Sequence, residues 1–260
     1  MIDIPVLSPF SVDFPPPERA LAEPNGLLAL GGDLTSERLL NAYRLGIFPW
    51  FSEDQPILWW SPEPRAVLFP HDFHCGRSLR KTLRNLGFEV RFDEQFERVM
   101  RACAAPRKDG PGTWISEDMV QAYCLLHEQG WAHSVETYLC GKLVGGLYGL
   151  SIGSLFFGES MFSERTDASK VALATLVHQL RRSGFPLIDC QLPNPHLTSL
   201  GATSVSRATF LSYLHTYLNR LPDPDPWSQP WPQPHMLTST IATPPSGTAT
   251  ARLFQQKNTE

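Results

Sequence analysis

Two apolar runs in this chain end in hydrogen-bonding side chains, which must find partners wherever the fold buries them. Leu155-Phe156-Phe157 leads into Gly158-Glu159-Ser160-Met161-Phe162-Ser163, and further on Ile188 leads into Asp189-Cys190-Gln191. A carboxylate or amide buried without partners costs several kcal/mol. Between the two runs, Val171, Ala174, Leu176, Val177 and Leu180 recur at helical spacing, which predicts a helix over 168–183. Two readings stand. The acids cap turns at strand ends, or the two runs close a pocket around polar groups, since perturbed acids gather at functional sites.

At 260 residues the chain is one large domain or two smaller ones. A hydrophobic fraction of 42% and a charged fraction of 18% sustain a core. The net charge of −4 is unevenly spread. Residues 1–60 hold eight Asp/Glu against three Lys/Arg, whereas residues 77–108 hold nine Lys/Arg against four acids. That asymmetry suggests one face that meets an anion. Cys75, Cys103, Cys124, Cys140 and Cys190 stand far apart, odd in number and without a CxxC pair. This argues against a disulfide framework and a structural zinc site and fits a reducing cytoplasm. The eight histidines form no metal-ligand pattern. Met1-Ile2-Asp3-Ile4-Pro5 is not the start of a secretory signal. No run reaches the roughly 18 apolar residues of a membrane span.

Along the chain, the prolines and acids of 1–24 predict an extended surface arm. Thr35 is placed to cap a helix that carries Leu39, Leu40 and Tyr43 and stops at Gly46. Ile47-Phe48-Pro49-Trp50-Phe51 and Trp59-Trp60-Ser61-Pro62 crowd large aromatics onto backbone broken by proline, which either plugs a core or lines a stacking surface. Strands are expected at 64–70, 89–92, 132–139, 143–150, 154–157 and 186–189, with a tight turn at Gly141-Lys142. Helices are expected at 77–86, 93–104, 117–129 (capped by Ser116) and 209–219. Gly110-Pro111-Gly112-Thr113-Trp114 reads as a turn presenting a Trp. From Pro222 on, eight prolines in 39 residues predict a disordered tail.

In the helix at 77–86, Leu79, Leu83 and Leu86 fall on one face and Arg77, Arg80, Lys81 and Arg84 on another. A solvated charge face is the ordinary reading. Four cations with no interleaved acid forgo the usual gain from alternating signs and favour a phosphate-binding face.

Pro24-Asn25-Gly26-Leu27-Leu28-Ala29-Leu30-Gly31-Gly32-Asp33-Leu34, Gly46-Ile47-Phe48-Pro49-Trp50-Phe51, Leu58-Trp59-Trp60-Ser61-Pro62, Gly112-Thr113-Trp114-Ile115, Phe157 to Ser163 and Asp189-Cys190-Gln191 together resemble the leucyl/phenylalanyl-tRNA–protein transferase family, in order, over residues from about 10 to 225. The resemblance implies transfer of Leu, Phe or, less readily, Met from aminoacyl-tRNA to the α-amino group of proteins beginning with Lys or Arg. The product is thereby marked for degradation. It implies an α+β fold: a small N-terminal α/β domain (1–62), then a larger N-acetyltransferase-like (GNAT-like) domain (63–221) with a mixed, mostly antiparallel sheet, before the tail (222–260). It assigns Asp189, Gln191 and Glu159 to catalysis. Tyr43, Trp50, Trp114, Leu147, Phe156, Met161, Leu176 and Ile188 would bind the aminoacyl-adenosine, and Arg77, Arg80, Lys81 and Arg84 the tRNA backbone. The chain departs from the expected pattern at Leu147 and Leu176, where the family suggests Met and an aromatic.

Peptide-bond formation from an aminoacyl ester needs a neutral amine, proximity, donors for the oxyanion and a route for one proton. The ester is already activated, so no cofactor and no metal is expected. Asp189 and Gln191, two apart on a strand, would share a face, with the amide held by the carboxylate. Cys190 would point the other way, into the core. An acyl-CoA-dependent N-acetyltransferase would want a Gly-rich pyrophosphate loop at a helix N-terminus, but the chain offers Ser-Ile-Gly-Ser and Gly-Glu-Ser after its strands. A non-catalytic RNA-binding module would not need Glu159 or the Asp189/Gln191 pair. No heptad or exposed strand-edge signal calls for self-association, so a monomer is expected. Arg80→Glu combined with Arg84→Glu is expected to weaken tRNA binding and to flatten its salt dependence; unchanged affinity across a salt series would reject the phosphate face.

Overall fold

The computed structural model describes residues 4–105 and 115–239, which form two mixed sheets and seven α-helices. The first sheet contains β1 (Val6–Leu7), β2 (Leu27–Gly31), β3 (Phe48–Pro49) and β4 (Leu58–Trp60) in the order β1-β2-β4-β3, with only β1 and β2 parallel. Helix α1 (Ser36–Arg44) connects β2 to β3. Thr35 caps it as expected, its hydroxyl accepting from the Arg38 amide at 3.4 Å. The predicted arm is stitched to this layer. Arg38 donates to the Ser8 carbonyl, Asn41 to the Val12 carbonyl, and Phe14 meets Trp59 edge-on at 4.8 Å.

The second sheet is built from β5 (Arg65–Leu68), β6 (Glu89–Phe92), β7 (Ala132–Leu139), β8 (Lys142–Ile152), β9 (Leu155–Ser163), β10 (Ile188–Gln191) and β11 (Thr203–Val205), in the order β11-β5-β10-β9-β8-β7-β6. Every neighbouring pair is antiparallel except β9 with β10. Its helices are α2 (Arg77–Asn85), α3 (Phe96–Ala104), α4 (Glu117–Glu128), α5 (Ala168–Arg182), α6 (Pro195–Ser199) and α7 (Arg207–Tyr217). Successive strand residues face opposite sides. Leu155 and Phe157 therefore enter a cluster with Tyr43 of α1, Trp59 of β4, and residues of α3, α4 and α7, while Phe156 enters a second cluster with α2 and α5. Cover on both faces is why the run at 155–157 is apolar without alternation.

Four expectations change. Strand β9 does not stop at Phe157 but continues to Ser163, pairing with β8 as far as Gly145. The β7–β8 turn lies at Cys140-Gly141, both with positive φ, one residue earlier than predicted, because Leu139 pairs with Lys142. Leu86 is half exposed at the end of α2, where the helix has already left the core. The tail expected to be disordered folds back through Leu237: Trp227 and Trp231 pack on the second cluster and Leu237 is fully buried in it. Two indoles and a leucine supply apolar surface that the proline-rich composition masked. Residues beyond 239 lie outside the described residues.

Glycine is required opposite the irregularity in β9. A Cβ on Gly149 would lie 2.2 Å from the Phe157 carbonyl oxygen and 2.7 Å from the Phe156 ring. Gly149→Ala is expected to lower stability by about 1–3 kcal/mol, the usual cost of overpacking, read from urea or thermal unfolding. A variant as stable as the parent would mean that β9 can move aside.

Candidate active site

Two bulges in neighbouring strands create the site. In β9, Gly158 pairs with Gly149 and Ser160 with Tyr148, so Glu159 is the extra residue. In β10, Asp189 pairs with Val67 and Gln191 with Ala66, so Cys190 is the extra residue. The parallel ladder between β9 and β10 ends at the pair Phe157 and Asp189, just before both bulges. Bulges re-aim side chains next to active sites, and here they turn Glu159 and Gln191 toward each other. The Gln191 amide nitrogen donates to Glu159 Oε1 at 2.8 Å.

Asp189 is held differently from the expectation. Arg65 grips it with two bonds, Nε to Oδ1 at 2.8 Å and Nη2 to Oδ2 at 2.6 Å. The Gln191 main-chain amide donates to Oδ1 at 2.9 Å. The carboxylate thus holds the Gln191 backbone rather than its side chain. The reason is local: Gln191 has φ +61°, so the strand alternation that would align the two side chains is broken. Arg65 also donates to the Gly46 carbonyl at 3.0 Å and lies between the rings of Phe48 (4.8 Å) and Phe210 (4.5 Å). Gly46 can present that carbonyl because it ends α1 with φ +75°. Asp189 is fully buried and already bound by three donors.

Glu159 receives two further hydroxyls. Tyr43 donates to Oε1 at 2.7 Å, the Tyr123 hydroxyl lies 3.4 Å from Oε2, and the two hydroxyls share a hydrogen bond. Burial pushes the Glu159 carboxyl up to about 8, partly offset by the Tyr43 hydrogen bond. Burial and this carboxylate also hold the Tyr43 and Tyr123 phenols well above their usual range. Tyr148 stands behind them, edge-on to Tyr123 at 6.0 Å, its buried hydroxyl without a partner among the described residues.

Leu147, Phe156, Leu176 and Ile188 are buried in the second cluster, and Met161 packs against it. The structure therefore brings together all five residues expected to surround the aminoacyl side chain. Trp59 is fully buried and Trp50 is 40% exposed, which separates a core aromatic from an accessible one. Trp50 leans on Trp60 (5.6 Å), whose indole N–H donates to its carbonyl at 2.6 Å. Trp114 lies outside the described residues. On α2, Arg77, Lys81 and Arg84 are exposed and Arg80 is half-buried. None of the four forms an ion pair among the described residues. Cys190 is partly buried beside the second cluster, and burial with the nearby Asp189 charge pushes its thiol far up. It is no activated nucleophile. Among the described residues no group of three or more His, Cys, Asp or Glu could hold a metal ion.

Sequence reasoning missed Arg65 and Tyr123. Arg65 opens a strand that is otherwise apolar, Arg65-Ala66-Val67-Leu68, and a lone cation there signals a buried partner. Tyr123 sits at helical spacing with Met119, Val120 and Leu126 on the buried face of α4.

Comparison with known proteins gives this site its context. A family model described as leucyl/phenylalanyl-tRNA protein transferase matches residues 67–215, and the model of that family's N-terminal domain matches 32–63. Three proteins named leucyl/phenylalanyl-tRNA–protein transferase illustrate the similarity. The one from Pseudomonas fluorescens (strain Pf0-1) is 60% identical over 81% of this chain and 93% of its own. The one from Azotobacter vinelandii is 59% identical over 84% and 96%. The one from Cellvibrio japonicus is 60% identical over 81% and 90%. Among solved structures, L-PGS from Bacillus licheniformis aligns with a TM-score of 0.35 at 12% identity, over 62% of this chain and 52% of that one, too distant to assign a fold family. The sequence matches define an aminoacyltransferase. The chain belongs to the leucyl/phenylalanyl-tRNA protein transferase family.

The raised Glu159 carboxyl has a consequence for stability. Folded, it keeps its proton up to about pH 8; unfolded, it loses it above the ordinary value of 4.5. The folded chain binds more protons across that window, so stability falls as pH rises through it. Buried Glu136, pushed up to about 7, adds to the same trend. Glu159→Gln is expected to make the fall shallower, measured as unfolding midpoints from about pH 5 to about pH 9. Equal slopes in parent and variant would mean that Glu159 keeps an ordinary carboxyl.

Proposed function

We propose that this enzyme moves Leu, Phe and, less readily, Met from aminoacyl-tRNA to the α-amino group of proteins that begin with Lys or Arg, marking them for degradation. The observation that carries the mechanism is the bond from the Gln191 amide nitrogen to Glu159. With its nitrogen engaged there, and its carbonyl oxygen without a partner among the described residues, Gln191 can accept a hydrogen bond from the incoming amine. Glu159, whose carboxyl changes charge near pH 8, holds the amine or the ribose and shares its proton. The neutral amine attacks the ester carbonyl, the C–N bond forms and the C–O bond breaks. The proton lost by nitrogen ends on the ribose oxygen. Asp189, fixed by Arg65, holds the Gln191 backbone in the conformation this requires.

The aminoacyl side chain enters between Leu147, Phe156, Met161, Leu176 and Ile188. A hydrophobic pocket distinguishes one methylene by only about 1–3 kcal/mol, which accounts for acceptance of Leu, Phe and Met together. Trp50 and Trp114 stack on the terminal adenosine, as single-stranded RNA ends are commonly read. Arg77, Arg80, Lys81 and Arg84 follow the phosphate backbone without reading sequence. In this reading the small N-terminal domain covers 1–62, the catalytic domain 63–221 is N-acetyltransferase-like, and the protein works as a monomer in the cytoplasm, where aminoacyl-tRNA is made. No helix of the described residues is long and apolar enough to cross a membrane.

The decisive assay uses radiolabelled leucyl-tRNA and two peptides that differ only in an N-terminal Arg or Ala. Label is expected to move to the Arg peptide and not to the Ala peptide, and prior ribonuclease treatment is expected to block it. Intact leucyl-tRNA, folded protein and no transfer would leave RNA binding without catalysis as the function.

A further inference from the structure

The family model ends at residue 215, yet the chain beyond it stays on the fold and reaches the residues around the aminoacyl side chain. Gln179 of α5 donates to the Pro226 carbonyl at 2.9 Å. Trp227 lies flat on His133, 3.7 Å between ring centres and 3° between planes, with Asp93 holding the imidazole at 2.7 Å. Its other neighbours are Phe156 at 5.9 Å and Trp231 at 5.6 Å. Trp231 in turn stacks on Phe92 at 4.8 Å. The Gln233 amide bonds both the N–H and the carbonyl of Val90, at 3.2 and 3.1 Å. Leu237 is fully buried in the second cluster. The segment is fixed at each of these points and forms a strap across the sheet face that α2 and α5 also cover.

We propose that the strap from Pro222 to Leu237 is the outer wall of the aminoacyl side-chain pocket, and that Trp227, acting through Phe156, is a positioning residue that limits how bulky a side chain the pocket admits. This rests on the pocket assigned under Proposed function. Phe156 is the point of contact: it belongs to the cluster formed by Leu147, Leu176 and Ile188, and its ring meets the Trp227 indole. In an interior packed at crystal density a ring keeps its place only while its neighbours fill the space behind it. With a smaller side chain at position 227, Phe156 gains room to retreat, and the pocket deepens on the side where a planar phenyl group needs depth. Branched Leu, which needs width, gains nothing. The indole is itself held by His133 and Trp231, apart from its contact with Phe156.

The test uses the full chain as parent, Trp227→Leu and Trp227→Phe, with leucyl-tRNA and phenylalanyl-tRNA as donors and one Arg-initiated peptide as acceptor. The ratio of kcat/KM for phenylalanyl- over leucyl-tRNA is expected to rise roughly tenfold in Trp227→Leu, the scale on which apolar pockets discriminate. It is expected to rise less in Trp227→Phe, with the KM for the peptide unchanged in both. In a Phe156→Leu background, Trp227→Leu is expected to leave the ratio unchanged, because the ring through which it acts is gone. A fall in both kcat/KM values by one common factor, alongside a lower unfolding midpoint, would make the strap a stabilising element only and overturn the proposal. If Trp227→Leu does not fold, Trp227→Phe decides by the same ratio. A parent that transfers neither aminoacyl group would sink the functional reading itself. A parent that transfers both, with the ratio unmoved by the variants, would sink only the wall.

Discussion

A guanidinium and a carboxylate face each other with both side chains almost wholly removed from water, Arg65 from β5 and Asp189 from β10. Neither charge is tolerable alone there: removing one partner of such a pair costs about 3–5 kcal/mol, because the other is left buried and uncompensated. What makes the pair consequential is how much is tied to it. Arg65 reaches the end of α1 through the Gly46 carbonyl and is bracketed by Phe48 of β3 and Phe210 of α7. Asp189 fixes the backbone of Gln191 in a left-handed conformation. One ion pair therefore links the first sheet, the larger sheet and the Gln191 backbone. Apolar residues of similar volume would pack there but would specify none of these bonds.

The site next to it is assembled from groups that do not come to rest by themselves. Glu159 is the surplus residue of one bulge, and the neighbouring bulge delivers Gln191. Tyr43, from a helix of the first layer, and Tyr123, from α4, close over the same carboxylate. Four chain segments thus converge on one acid, in surroundings that push its carboxyl up to about 8. A group in that state can accept or release a proton without a large penalty either way, which suits a reaction that must move one proton from nitrogen to oxygen.

Much of this architecture was legible residue by residue. Strands β6 and β7 lie where the spacing put them, 89–92 and 132–139, and Ser116 caps α4 as expected. The run at 154–157 marks a strand, which the structure covers on both faces. What the sequence left hidden were departures from regular periodicity. A two-residue period places Asp189 and Gln191 on one face, and nothing in the letters announces a bulge at Cys190 or a left-handed Gln191. The extent of β9 was missed for the same reason, since Gly158-Glu159 looks like a strand end when it is an interruption within a strand. The tail misled through composition: proline content weighs against order, but Trp227, Trp231 and Leu237 are enough to anchor a segment whose prolines have already restricted its unfolded conformations.

The Gln233 amide has a second meaning, apart from the pocket. Strand β6 is the last in its sheet, and Val90 is the residue whose N–H and carbonyl both receive that amide. A side chain there takes the place of the next strand. Unpaired edges are where sheets of separate molecules join, so this one glutamine occupies a site for intermolecular strand pairing. Ending the chain ahead of it would uncover Val90 and open that edge of the sheet to pairing with other molecules.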